Sequence, residues 1–245
     1  MKARLFCESA LVVGQRVLLP ATPAHHARDV LRLVADDEVT LLNGLGGEYQ
    51  ARLTLVSRKA VEAVVLSRAE RDAESPFAIE VAQSLATGDK MDWVVEKSVE
   101  LGAASVAPLV AERSVLRLSP ERAVRRVAHW QAIARAACEQ CGRNRLAKVE
   151  PVVTFDAYVV NVNAATGLKL MLSPVADVHF REIPAPAHGT TIHLLVGPEA
   201  GLSDPEEARA RAAGFEGVTL GPRVMRTETA ALAALAAIHG RWGDF

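Results

Sequence analysis

Arg226, Thr227, Glu228 and Thr229 follow one another at the mouth of LGPRVMRTETAALAALAAI, Leu220 to Ile238, whose remainder is almost pure alanine and leucine. These two are among the strongest helix formers, and a helix apolar on every side is a buried one. The polar quartet therefore stands where a buried helix begins, beside unpaired N–H groups and the positive end of the helix dipole. Thr227 can cap such a helix, but capping needs no arginine. Arg226 and Glu228 are thus placed at the rim of whatever precedes the helix.

Two glycine-proline loops precede and face that position. Thr191 to Val196, TIHLLV, runs into GPEAG and then LSDPEEARARAAG, where Ser203 and Glu206 have capping-box spacing, Pro205 sits in the first turn and Gly214 supplies a stop. This is a strand, a loop and a helix, with Gly197 and Gly201 able to let backbone approach a ligand. The second loop, GPRVMR, follows the strand GVTL. Neither loop carries the GK[ST] of a triphosphate site or the G-x-G-x-x-G of a dinucleotide site. Unless they are only tight turns, two such loops at strand ends make a compact, backbone-lined pocket suited to an adenine or a sugar.

From Arg113 to Lys148 there are nine basic residues against two acids, with Arg outnumbering Lys eight to one, although the whole chain has a formal net charge of -1. Arginine is the better phosphate fork, so the run reads either as a solvated helical face or as a phosphate-binding belt. The three cysteines, Cys7, Cys138 and Cys141, form no disulfide framework, and CEQC lies inside a helical pattern without further ligands at zinc spacing. No metal site is expected.

Around these positions lie 245 residues that are 50% hydrophobic, enough for one large domain or two smaller ones. No uninterrupted apolar run approaches the roughly 18 residues of a membrane span, and Glu8, Gln15 and Arg16 interrupt any signal-peptide core. A cytoplasmic protein without membrane contact is expected. The first 70 or so residues read as short strands, RLFC, RVLLP, EVTLLNG, GEYQARLTLV and AVEAVVLS, with NGLGG as a hairpin turn and HHARDVLRLV as one short helix. ERDAESP reads as a linker, after which strands alternate with helices, the pattern of a mostly parallel α/β sheet with ligands at the C-terminal strand ends.

GDKMDWVVEKSVELG, ERSV, HWQAIARAACEQCGRNR, LLVGPEAGLS and LGPRVMRTETAALAAL, together with HHARDVLRL, resemble the RsmE family of 16S ribosomal RNA uridine-N3 methyltransferases of the SPOUT class, over essentially the whole chain. The resemblance implies a PUA-like, RNA-binding β-barrel over 1–72, and over 73–245 a SPOUT methyltransferase domain whose parallel sheet carries a deep trefoil knot. It implies a homodimer acting on 16S rRNA, in an assembled small subunit, with S-adenosylmethionine as donor and S-adenosylhomocysteine as product.

On these motifs the donor falls to Leu172, Gly197, Pro198, Glu199, Gly201, Leu220, Gly221, Val224, Met225 and Thr229, and catalysis to Arg226 and Glu228. RNA binding falls to Arg4, Arg32, Arg113 and Arg143. One departure is Ala200, where the family usually has glycine; if φ is positive there, alanine costs about 1 kcal/mol. A ribose 2′-O enzyme of the same class and a non-catalytic RNA-binding module are the alternatives.

Overall fold

A computed structural model describes residues 2–71 and 73–245. They form two compact units, Met1–Glu74 with Cys138–Leu146, and Ser75–Ala137 with Ala147–Phe245.

The first unit contains β1 (Ala3–Phe6), β2 (Arg16–Leu18), α1 (Ala21–His25), β3 (Glu38–Leu42), β4 (Glu48–Val56) and β5 (Val61–Ala69). They make a five-stranded sheet in the order β1-β3-β4-β5-β2, antiparallel except for the β1–β3 pair. Period-two alternation sends Tyr49, Ala51 and Leu53 of β4 and Val61, Ala63 and Val65 of β5 into one core with Leu5 and Leu41. NGLGG closes the β3–β4 hairpin, as its composition predicts. The helix expected over HHARDVLRLV begins earlier, at Ala21, because Pro23 is tolerated in a first turn. It continues as a π-helical turn over His26–Val30 and stops before Arg32, whose φ of 55° no helix accommodates.

The second unit runs β6 (Ala78–Ser84), α2 (Lys90–Glu100), β7 (Ser105–Val110), α3 (Pro120–Cys141), β8 (Lys148–Val149), β9 (Val153–Thr154), α4 (Phe155–Asn163), β10 (Leu168–Leu172), β11 (Val178–His179), β12 (Thr191–Val196), α5 (Asp204–Ala212), β13 (Glu216–Thr219) and α6 (Thr227–Trp242). The last turn of α3, carrying Cys138 and Cys141, counts with the first unit. The sheet order is β11-β13-β10-β12-β6-β7-β8, with β9 also on β7, and every pair is parallel. Five successive residues of β12, Ile192 to Val196, are buried, so both faces of this central strand are covered.

Two polar clusters inside the second unit are matched. Glu80 of β6 accepts from the Tyr158 hydroxyl at 2.7 Å and lies 3.0 Å from His193 Nδ1. Burial would raise the Glu80 carboxyl, but these two partners outweigh it and hold it below its usual range, while burial pushes the Tyr158 phenol up. Lys169 Nζ donates to the carbonyls of Asn163 and Ala213, both at 3.1 Å.

Candidate functional site

Strands β13, β10 and β12 lie side by side, and register pairs Leu172 with both Val218 and Val196. Their C-terminal ends therefore stop at one level, where loops that leave a parallel sheet converge on a ligand. β10 leads into Ser173 and Pro174, β12 into GPEAG, and β13 into LGPRVMR. Together these loops enclose a cavity of about 340 Å³ walled by aliphatic side chains and backbone. Of the ten expected donor-binding residues, all but Gly221 and Thr229 lie on its wall, and Arg226 does too.

The GPEAG loop is fixed from outside. The α5 capping box forms as its spacing predicts, with Glu206 Oε2 accepting the Ser203 N–H at 2.9 Å. Glu206 Oε1 takes the Glu112 N–H at 2.7 Å, and the Ser203 hydroxyl donates to Glu112 Oε2 at 2.6 Å. Arg113 Nη1 donates to the Leu202 carbonyl at 3.0 Å and to that of Ala200 at 3.4 Å. Ala200 itself has an ordinary backbone, since Arg32 and Asp36 are the only described non-glycine residues with positive φ. The strain that alanine would suffer in the left-handed region does not arise.

Glu199 is held by a second set of donors. Its Oε1 accepts from Lys90 Nζ at 2.9 Å, from the Thr87 hydroxyl at 3.0 Å and from the Thr87 N–H at 3.1 Å. Burial would raise this carboxyl, but Lys90, the Thr87 groups and its own backbone N–H bring it down to about 2. It is an anion at every physiological pH. Lys90 also lies 3.9 Å from Glu228 Oε2, a buried oxygen that has no hydrogen-bond partner among the described residues.

Helix α6 starts without a side-chain cap. Arg226 occupies the cap position, and Thr227 is the first helical residue, so the capping role open to Thr227 in the sequence is not the one it has. Its hydroxyl instead donates to the Gly197 carbonyl at 2.6 Å and accepts from Gln83 Nε2 at 2.8 Å. The strand β6, the GPEAG loop and the start of α6 are thus joined at one buried oxygen. The Arg226 side chain is exposed on the cavity wall, with no hydrogen bond or ion pair among the described residues. Glu228 is not on that wall; it points to Lys90.

The four expected RNA-binding arginines have different fates. Arg4 Nη2 donates to Asn144 Oδ1 at 2.6 Å and its Nη1 to Glu48 at 2.8 Å, with the side chain 7% exposed. Arg143 is 4% exposed and ion-paired with Glu74. Arg113 clamps the GPEAG loop as described, and Arg32 is exposed. The site residues that sequence patterns did not single out are Gln83, Thr87, Lys90 and Arg223. The first three stand just past or at the end of β6, the central strand next to β12, and a lysine opening a helix after such a strand is the signal that identifies them.

Residues 73–239 match the model of an RNA methyltransferase domain, and residues 22–66 that of an RNA methyltransferase PUA domain. The ribosomal RNA small subunit methyltransferase E of Bacillus subtilis is 32% identical over 87% of this chain and 86% of its own. A crystal structure of the Neisseria gonorrhoeae protein of that name, bound to S-adenosyl methionine, superposes with a TM-score of 0.91 at 38% identity and full coverage of both chains. A Legionella pneumophila protein solved in complex with bound SAM superposes with a TM-score of 0.94 at 35% identity, again over both whole chains.

Proposed function

The chain belongs to the RNA methyltransferase family that includes ribosomal RNA small subunit methyltransferase E, and on that premise we propose that it methylates N3 of one uridine in 16S rRNA. The donor is S-adenosylmethionine, which supplies an electrophilic methyl group on a positively charged sulfur. The cavity suits such a molecule. Its volume is in the range of small-ligand sites, its wall is mostly aliphatic and backbone, and it carries both an acid, Glu199, and a cation, Arg223, for a ligand that is itself amphoteric.

In the overall reaction the sulfur–methyl bond breaks, an N3–carbon bond forms, and the imino proton of uracil is lost to solvent or base. Loss of that proton spreads negative charge over O2 and O4. Arg226 carries this reading, because an unpaired guanidinium stands on the rim of the donor cavity, borne by the residue at the cap position of α6. Glu228 acts one step away, by setting the position of Lys90 and through it Glu199. N3 lies on the Watson–Crick edge, so the target uridine must be unpaired or flipped out. The same reading takes the enzyme as a homodimer, its last strands and α6 as a trefoil knot, and its rRNA as part of an assembled subunit.

Nucleoside mass spectrometry of 16S rRNA treated with the protein and methyl-labelled donor tests the assignment. N3-methyluridine is the expected product. A label on ribose, or no label on rRNA, would overturn it.

A further inference from the structure

A second cavity, of about 210 Å³, lies wholly in the first unit, between the β3–β4 hairpin, the residues that follow β5, and Asn144 and Arg145. Three guanidiniums line it, those of Arg68, Arg71 and Arg145, against one carboxylate, Glu70. We propose that this cavity is a binding site for the phosphodiester backbone of the RNA.

The local construction is specific. The hairpin tip is stitched to the Asn144–Leu146 segment by an antiparallel bridge, with the Gly46 N–H donating to the Asn144 carbonyl and the Leu146 N–H to that of Gly44, each at 3.1 Å. Arg145 lies flat over the hairpin. A Cβ on Gly46 would come within 3.2 Å of its guanidinium carbon, a tight contact that the side chain could relieve by a small shift, while the φ of +98° there favours glycine. Arg145 Nη1 donates to the Leu45 carbonyl at 3.3 Å; its backbone N–H donates to Glu74 Oε1 at 3.1 Å, while its guanidinium has no carboxylate partner among the described residues. The carboxylates near the other two are weak competitors. Glu70, 74% exposed, pairs with the half-exposed Arg68, an arrangement worth little in water. Glu48 is 3.6 Å from Arg71 but is already taken by Arg4 at 2.8 Å.

Guanidinium forks converging on a polar hollow are the chemistry of phosphate recognition. A chain of phosphates rather than a free ion is the occupant, because the three cations share the hollow with Leu45, which is 77% exposed and offers an apolar contact to a base or sugar. The proposal rests on the RNA-modifying function above and supplies the backbone grip that the buried Arg4 and Arg143 do not.

The test is binding of full-length protein to a labelled 16S rRNA transcript over a salt series, for wild type and for the double variant Arg71→Gln with Arg145→Gln. The slope of log affinity against log salt is expected to fall by about 1.5 to 2, and affinity to drop on the order of tenfold, equally for an unrelated transcript. An unchanged slope in a variant that melts like wild type overturns the site, as does a loss confined to the 16S transcript. Wild-type RNA binding outcompeted by inorganic phosphate at matched ionic strength would mean a free-anion site and likewise overturn it. Methyl transfer is assayed separately at saturating RNA, so failure of the enzymatic assignment shows there and leaves the binding result intact.

Discussion

The hydroxyl of Thr227 donates to the Gly197 carbonyl at 2.6 Å, so the first residue of α6 and the first residue of the GPEAG loop cannot move independently. Thr227→Val keeps the shape and removes the bond. It leaves a buried carbonyl and the Gln83 amide without their partner, at a cost of about 1 to 3 kcal/mol. Thermal unfolding should report that loss, and calorimetric donor affinity should weaken with it; a variant with a lower melting temperature and unaltered affinity would show that the bond serves stability alone.

Arg226→Ala is expected to lower single-turnover methylation by on the order of a hundredfold, the scale of one preorganised donor aimed at developing charge. Donor affinity and melting temperature should hardly change, because the side chain makes no bond within the described protein. Normal turnover in a folded variant would end the catalytic assignment.

Ala230 lies on the cavity wall from within α6. Ala230→Leu suits the helix and fills the space, so donor binding should vanish while the fold persists. Gly221 is a poorer probe. Its φ of +141° strains any side chain although open space surrounds it, so Gly221→Val mixes a backbone effect with occlusion. Wild-type affinity in Ala230→Leu would move the donor out of this cavity.

The Glu199 carboxyl, lowered to about 2, contributes stability that is complete above the ordinary carboxylate range of about 4.3 and is lost as pH falls through about 2. Removing its first donor with Lys90→Met should raise the carboxyl toward its ordinary range, so that the variant has less stability to lose on acidification. Melting temperatures from about pH 3 to 6 should differ most between variant and wild type at the upper end of the range and converge as pH falls. Parallel curves would mean that the Thr87 groups alone hold the anion.

Arg143→Ala removes the guanidinium partner of the largely buried Glu74, which keeps the Arg145 N–H at 3.1 Å, and should cost up to about 3 kcal/mol. The salt dependence of RNA binding should stay as it was. A flattened slope in a stable variant would instead put Arg143 on the RNA.

Legibility in the sequence followed the reach of each interaction. The five strands of the first unit, the α5 capping box and the two glycine-proline loops are local patterns, and they stand where periodicity and turn chemistry predict. What stayed hidden depends on partners far along the chain. Nothing in TIHLLV reveals that His193 meets Glu80, which also takes the Tyr158 hydroxyl, and nothing in KLMLS that the Lys169 ammonium is satisfied by two helix-end carbonyls. Arg4 and Arg143 read as surface cations because a sequence does not show the carboxylates that bury them. The sheet order is likewise hidden: β10 lies between β12 and β13, which brings Leu172 to the cavity wall. Thr227 read as a cap because its Gly197 partner is thirty positions away.

Cys138–Leu146 completes the first unit from just past the midpoint of the chain. Phe6 donates its N–H to Glu139 at 2.6 Å, and the Asn144 amide donates to the Arg71 carbonyl at 2.9 Å. During synthesis from the N-terminus, the five strands are therefore made long before the segment that finishes them. A nascent chain released at residue 74 carries a sheet whose β1 end and hairpin tip still lack these bonds. The N-terminal unit matures only once the end of α3 has emerged, so a fragment cut at the linker is the shortest way to lose it and a circular permutant that keeps 138–146 adjacent is the way to keep it.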